Sequence, residues 1–468
     1  MTAADQSGSR MSGPSEPSPD PGTARRTALG AVVRVLSGAY LSRAISEALT
    51  EGKLNGQDRS LVTELAYGTL RYLIALDSRL APFLSHPDRL PPEARAALRL
   101  GAYELLYRGT PAYAAVDAWV EVAKAVSPKH LKLVNAVLRR VSEAVGDDTA
   151  QVAVDASQPV GDAAPDPERD LSLPSWLFAR FVASLGPEAA HRAALGMLEP
   201  EPLWLTAYTP EAERTLASQG VEVRRGPELP LPPEVPVRPW PTSLSVRSPT
   251  PLAGLRAFQR GLVQPQNPAS LYAARLVGAE EGDLVYDLAA GHGVKTAALA
   301  ASGAEVVAVE LSAGRSRRSQ RNLRRLGLAA RHVIADLSSG PSDALAPPGD
   351  SVLLDAPCSG TGTLRGNPEI KLRLKESDLA EMAATQARML ATAATAVRPG
   401  GTLVYAVCSL TPEEGVAQVE RFLAATPGFE ALGMPAGPPF VAPQGPGAYV
   451  LPVGGLDGFY LARLSRTA

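Results

Sequence analysis

Beyond Gly282 the sequence alternates short apolar runs with longer amphipathic stretches, a rhythm that few architectures can bury. "LVYDLAA", "EVVAVEL", "RHVIADL", "DSVLLDAP" and "GTLVYAVCS" have strand length and little polar alternation, and "ESDLAEMAATQARMLATAATAV" is one of the helical stretches between them. Strands apolar on both faces need cover on both faces, which predicts a doubly wound, mostly parallel α/β sheet. Such sheets bind ligands outside the carboxyl ends of their strands. Chemistry is therefore sought in the polar residues at those ends.

The N-terminal part obeys another period. Leu29, Val32, Val33, Leu36, Tyr40, Leu41, Ala44 and Ile45 recur at helical spacing, and "LVTELAYGTLRYLIAL", "ARAALRLGAYELLY" and "LKLVNAVLRRV" repeat the pattern. This predicts an all-α domain over residues 26–145, preceded by a disordered tail, 1–25, rich in Ser, Gly and Pro. Residues 146–170 carry seven acids against one Arg and read as an acidic linker. Residues 171–254, interrupted by "GPELPLPPEVPVRPWP", are expected to form a small α/β connecting module, leaving 255–468 for the sheet domain.

Composition excludes several classes. A net charge of −2 rules out a chain that coats nucleic acid by overall charge, though not local basic patches. Two cysteines cannot build a disulfide scaffold and suit a reducing, cytoplasmic compartment. No apolar run approaches the ~18 residues of a membrane span. The five His and two Cys lack ligand spacing, so no metal is expected. "GRSRRSQRNLRRLGLAAR", Gly314 to Arg331, holds seven Arg and no acid, with Arg317, Arg321, Arg324 and Arg325 on one helical face. Phosphate contact and a solvated face both remain open for it. Lys129, Lys132, Arg139 and Arg140 form a second basic cluster, compatible with RNA. Thr411, Pro412 and Glu414 read as a capping box that starts a helix.

Asp287, Ala289, Ala290, Gly291, His292, Gly293, Val294 and Lys295 fall at the first strand-to-helix turn, where small residues let the backbone approach a nucleotide-type cofactor. Glu310 ends the next strand, about 20 residues on, where a carboxylate accepts from both ribose hydroxyls. Asp336 ends the third strand, placed to face an adenine, and Asp355 ends the fourth. One such acid is explained by helix capping; four in series are not. No Gly-x-x-x-x-Gly-Lys-Ser/Thr cradle is present, so the set favours S-adenosylmethionine over ATP.

The two cysteines occupy matching places, Cys358 in "LLDAPCSGTG" and Cys408 in "LVYAVCSLTP", each after an apolar run and before Ser. As neighbouring strand ends, both would flank the cofactor crevice. C5 of a pyrimidine becomes nucleophilic once sulfur adds to C6. The intermediate must then lose its C5 proton and expel sulfur, and two thiols fit one such cycle.

"DAPCSGTG" followed by "NPEIK", with "YAVCSLTPEE" and the terminal "DGFYLARL", resembles the Fmu/Sun-type RNA 5-methylcytosine methyltransferases of the ribosomal RNA small-subunit methyltransferase B family. "DRSLVTELAYGTLR", "LRLGAYELLY" and "LVNAVLRRV" resemble that family's NusB-like domain. The resemblance implies a class I, Rossmann-like, S-adenosylmethionine-dependent domain behind an all-α RNA-binding domain, acting on 16S ribosomal RNA as a monomer. It implies Cys408 as nucleophile, Cys358 in product release and Asp355 at the cytosine's N3/N4 edge. Lys295 is assigned to the cofactor loop or the base pocket. Departures are visible: "GHGVKT" replaces the usual Ala-Pro-Gly-Gly-Lys-Thr, with His292 for Pro and Val294 for the second Gly, Glu310 stands for the commoner Asp, and "RGNPEIK" lacks one Arg and the His. These last losses, and "LTAY" at Leu205 to Tyr208, are expected to bear on RNA contacts. Two alternatives stay open: the same chemistry on transfer RNA, and a non-catalytic RNA-binding or assembly factor.

Overall fold

The computed structural model describes residues 22–52, 54–145, 166–200, 202–248, 250–340 and 345–467. Most of the expected tail and of the acidic linker lies outside the described residues. The first helix, however, begins at Gly22, so Gly22–Arg25 belong to the helical domain.

The helices of the N-terminal part are α1 (Gly22–Leu36), α2 (Leu41–Glu51), α3 (Gly56–Arg71), α4 (Leu73–Leu80), α5 (Pro92–Leu106), α6 (Ala112–Val126) and α7 (Leu131–Val145). Two compact units share the chain, and the division falls inside α3: residues up to Ala66 and from His86 form the helical unit, while Tyr67–Ser85 belong to the second. In the helical unit α5 is buried along most of its length, including the carboxylate of Glu104. That charge is matched by a two-nitrogen contact from Arg25 (2.8 and 2.9 Å), by the Trp119 indole N–H (2.7 Å) and by Arg108 (3.2 Å). A buried carboxylate is tolerated only when paired and hydrogen-bonded in this way.

The second unit continues with α8 (Ser175–Leu185), α9 (Pro187–Leu198), β1 (Leu203–Ala207), α10 (Pro210–Ala217), β2 (Glu222–Arg225), β3 (Thr242–Arg247), α11 (Arg256–Gln259), β4 (Val263–Pro265) and α12 (Pro268–Arg275). Then come β5 (Leu284–Leu288), α13 (Val294–Ala300), β6 (Glu305–Glu310), α14 (Ala313–Leu326), β7 (Arg331–Ile334), β8 (Gly349–Asp355), α15 (Ile370–Arg373), α16 (Glu376–Thr395), β9 (Val397–Val407), α17 (Val416–Ala425), β10 (Phe429–Leu432), β11 (Val441–Gln444), β12 (Gly447–Val450) and β13 (Phe459–Arg466). A nine-stranded sheet runs β11-β12-β13-β9-β8-β5-β6-β7, with β10 paired to β13. Strands β9, β8, β5, β6 and β7 are mutually parallel; β13 joins β9 antiparallel. These five parallel strands are the five apolar runs of the sequence.

The connecting region differs from expectation. Leu171, Leu173, Leu177 and Phe181 are buried in one apolar core with Tyr286, Leu354 and Tyr405 of the large sheet, so α8 and α9 are part of its cover. Strands β2-β3-β1-β4 form a small sheet of their own, and β4 lies past residue 254, so no boundary falls there. The apolar faces of α8 and α9, too short to make a core alone, settle where enough apolar surface exists.

Candidate active site

Parallel register brings the carboxyl ends of β5, β6, β8 and β9 to one edge. Asp355 ends β8 opposite Ala406 of β9, and the thiols of Cys358 and Cys408 meet across that pair with 3.3 Å between sulfurs. Both are free thiols. The hydrogen bond with Cys408, then burial, hold the Cys358 thiol well above its ordinary range, with the Glu414 charge acting in the same direction. Cys358 is therefore a neutral S–H at pH 7.

Three sequence motifs interlock here through their backbones. The Gly362 N–H donates to the Cys408 carbonyl (2.9 Å), and the Gly458 N–H donates to the Gly362 carbonyl (2.8 Å). A Cβ on Gly362 would stand 2.0 Å from the Gly458 oxygen, so only glycine permits this approach. Beneath the two thiols lies Glu414, wholly buried. Its Oε1 accepts from the Ser359 N–H (2.8 Å) and Gln386 Nε2 (3.0 Å), and its Oε2 from the hydroxyls of Ser409 (2.6 Å), Thr411 (3.2 Å) and Ser359. The capping-box reading of Glu414 is thus corrected. Helix α17 starts at Val416, after Gly415, and Glu414 instead ties together the residues that follow each cysteine.

Lys295, in the first turn of α13, reaches Asp355 Oδ2 at 2.6 Å, with its Nζ 5.4 Å from the centroid of the Phe459 ring. Burial alone would lower the ammonium pKa, but the charge and hydrogen bond of Asp355 outweigh it, and the pKa is raised. The Cys408 sulfur also interacts with it electrostatically. Lys295 thus joins its two expected places, its backbone in the first turn of α13 and its ammonium beside Asp355.

The β5–α13 turn is tightly wound. Ala289 has φ +61°, the Ala290 N–H donates to the Val309 carbonyl (2.9 Å), and Gln264 donates to the Val294 carbonyl (2.9 Å). Gly293, at φ +76°, sits where a Cβ would stand 2.0 Å from Ser319 Oγ, so α14 can pack on the turn only with glycine there. The Gly291 N–H donates to Glu310 Oε2 (2.9 Å), while Glu310 Oε1 accepts from the Ser312 N–H (2.7 Å) and Arg315 Nε (2.8 Å). His292 is exposed and accepts from Arg318 at 3.4 Å. Asp336 caps the one-turn helix Leu337–Ser339 through the Ser338 N–H (2.9 Å) and hydroxyl (2.7 Å), which hold its carboxyl below the ordinary range. Capping is what its side chain does here.

Asp287 is fully buried; Thr296 donates to its Oδ2 at 2.5 Å, and its Oδ1 has no hydrogen-bond partner. Burial pushes its pKa up to about 7 against the Thr296 bond, with Asp355 adding repulsion. The sign is then fixed: between about pH 4 and pH 7 the unfolded chain releases a proton that the folded chain retains, so stability falls as pH rises through that window. In protein without cofactor, Asp287→Asn is expected to raise stability by roughly 2–4 kcal/mol at pH 8 and by little at pH 4, read from thermal unfolding at both pH values. A gain independent of pH would show that Asp287 carries no buried charge.

Sequence reasoning misread Glu414 and missed Gln386 and the exposed Leu311 and Ile334, which stand 60% and 52% exposed just past Glu310 and at the end of β7. The "Cys-Ser" repeated at both sites was the available signal for a shared acceptor. The Arg and Lys that "RGNPEIK" retains are buried rather than exposed. Arg365 is buried, donating to the Pro452 carbonyl (2.8 Å), and Lys371 is buried, donating to the Arg71 carbonyl and to Ser172 Oγ (3.4 Å). Lys371, and the Arg365 carbonyl, which accepts from Arg71 Nε (2.9 Å), hold the Tyr67–Ser85 segment within the second unit. Among the described residues no group of three His, Cys, Asp or Glu is placed to hold a metal, and no helix is long and apolar enough to cross a membrane.

A glycine turn on β5, an acid ending β6 and a thiol crevice beyond β8 and β9 define a Rossmann-like methyltransferase dependent on S-adenosylmethionine. The family model for 16S rRNA methyltransferase RsmB/F matches residues 274–465, and that of the NusB family matches 22–143. The chain is 42% identical over 446 residues to the ribosomal RNA small subunit methyltransferase B of Thermus thermophilus, covering 95% of this chain and 98% of the relative. It is 32% identical to the protein of that name from Pasteurella multocida, covering 94% and 96%. The chain belongs to the RsmB/F family and is an RNA methyltransferase. The solved protein PH0851 has the same fold, with a TM-score of 0.73 at 23% identity over 96% of this chain and 99% of that one. So does a methyltransferase homolog from Pyrococcus horikoshii, with a TM-score of 0.52 at 24% identity over 66% and 100%.

Proposed function

We propose that this protein methylates C5 of a cytosine in small-subunit ribosomal RNA, in the cytoplasm and as a monomer, through addition of Cys408 to C6. The observation that carries the reading is the meeting of the two cysteines, 3.3 Å apart, at the strand edge where Lys295 holds Asp355. The residues present suit the cofactor: Gly291 has no neighbour closer than 3.9 Å to where a Cβ would project, Asp287 Oδ1 is an unpartnered buried acceptor, and Glu310 ends β6 beside exposed Leu311. Glu310 would take the ribose hydroxyls, Leu311 and Ile334 the adenine faces, and Asp287 the ammonium end. When bound, S-adenosylmethionine supplies an electrophilic methyl group.

The target base leaves its stack to enter the crevice. Asp355 accepts from the cytosine N4 amino group and is kept in place by Lys295. The Lys295 ammonium also stabilises the negative charge that the Cys408 sulfur carries as a nucleophile. Formation of the S–C6 bond moves the C5–C6 electron pair to C5, the carbon that would take the methyl group, the S–CH3 bond pair returning to the cofactor sulfur to leave S-adenosylhomocysteine. Transfer of the C5 proton to a water molecule then restores the C5–C6 double bond as the C6–S bond breaks, returning an electron pair to the Cys408 sulfur. Cys358, a neutral S–H beside that sulfur, stabilises the departing thiolate by hydrogen bonding. Purified protein given labelled cofactor should transfer methyl to small-subunit rRNA and leave transfer RNA unlabelled, with label recovered as 5-methylcytidine. Label on transfer RNA alone would move the substrate, and label on neither would leave an assembly factor.

A further inference from the structure

Helix α14, "AGRSRRSQRNLRRL", is the most basic element of the second unit, and its arginines divide into two sets. Arg325, expected on the exposed face, turns inward: it donates to the carbonyls of Phe258 (2.7 Å) and Val263 (2.9 Å), its guanidinium 4.1 Å from the Phe258 ring centroid. Arg315 is taken by Glu310, and Arg318 leans on His292. Arg317, Arg321 and Arg324 form the other set. All three are exposed, and among the described residues none has a carboxylate partner. Their spacing of four and three residues puts them in one row.

Elsewhere in the same unit exposed arginines are mixed: Arg225 pairs with Glu213, Arg260 with Glu211 and Arg398 with Asp350, while Arg214, Arg224, Arg247 and Arg256 have no ion pair among the described residues; α14 is set apart by three unpaired arginines in one row of a single helix. The chain as a whole has slightly more acids than bases, so counter-charges were available. Like charges at i and i+4 destabilise a helix, and among the described residues the row is offset only at Arg324, which donates to the Gln320 carbonyl (3.3 Å) in the last turn of the helix. A polyanion with repeated charges would offset the whole row. Guanidinium groups match phosphate oxygens bidentately. The helix also starts at the crevice: Ser312 caps it two residues after Glu310, and Arg318 touches the turn that carries Gly291 and Gly293.

We infer that the RNA strand flanking the target cytosine runs along α14, with backbone phosphates on Arg317, Arg321 and Arg324. This rests on the RNA methyltransferase reading above. The test is the full-length triple variant R317Q/R321Q/R324Q, with R225Q/R260Q/R398Q removing three charges elsewhere as control. Binding of a small-subunit rRNA fragment is measured by fluorescence anisotropy from 50 to 300 mM salt. Gln keeps helix propensity, and cofactor affinity by calorimetry reports whether the fold survives. Expected for the α14 variant are a Kd raised roughly 10- to 100-fold at low salt and a log Kd against log salt slope shallower by about two. Its KM for RNA should rise while kcat at saturating RNA stays near wild type, and the control should keep the wild-type slope. Unchanged affinity and slope in the α14 variant, or equal losses in the control, would overturn the inference while leaving the enzyme reading intact. Wild-type protein that neither binds nor methylates the fragment would overturn both.

Discussion

Cys408→Ala abolishes methyl transfer and forms no covalent adduct with RNA, whereas Cys358→Ala halts with the adduct in place: this is the expected pair of results. With no sulfur at C6, C5 stays a weak nucleophile and the reaction never begins. Without Cys358, addition and methyl transfer proceed, and the departing Cys408 thiolate lacks its hydrogen-bond donor, 3.3 Å away in the wild-type site. A band shifted on a denaturing gel and dependent on S-adenosylmethionine reports the stalled species. The opposite pattern would exchange the roles of the two thiols. Activity retained in both variants, with no adduct, would reduce the cysteines to packing residues at strand ends.

Glu414→Ala should disable the site without touching either sulfur. Five donors converge on that carboxylate, two of them from Ser359 and one from Ser409, the residues that follow Cys358 and Cys408. Truncation leaves those donors buried and unpaired, which is expected to cost about 3–5 kcal/mol of stability. Loss of register between the thiols should lower single-turnover methyl transfer on the order of 100-fold or more. Glu414→Gln keeps the volume and replaces one acceptor by a donor, so it should fold and still lose roughly 1–3 kcal/mol. Urea unfolding and single-turnover rates separate the two effects. Wild-type stability and rate in the Gln variant would mean that the carboxylate does not organise the crevice.

The contrast between Glu414 and Cys408 shows what a sequence can carry. The five parallel strands were readable because burial on both faces leaves a continuous apolar run, and their end residues, Asp287, Glu310, Asp355 and the cysteines, inherit their place from the topology. Glu414 was misread because Thr-Pro-x-Glu satisfies a local capping rule, while two of its five hydrogen bonds come from Ser359, 55 residues away. Local spacing cannot report a bond of that range. The "RGNPEIK" segment was read only for its lost Arg and His, and no local pattern shows that its remaining Arg365 and Lys371 donate to the Pro452 and Arg71 carbonyls, 87 and 300 residues away. Lys295 had two open places, and its position in the first turn of α13 with its ammonium 2.6 Å from Asp355 is compatible with both. Helices α8 and α9 read as a separate module because a short amphipathic helix does not state which apolar surface will cover it.

Bisulfite sequencing of small-subunit rRNA from wild-type cells and from cells lacking this gene decides the chemistry and the substrate together. One cytosine that resists conversion in the wild type and converts fully in the deletion strain is predicted, with resistance restored by the wild-type gene and not by Cys408→Ala. An identical conversion pattern in the two strains, with the gene expressed, would contradict C5 methylation of this RNA.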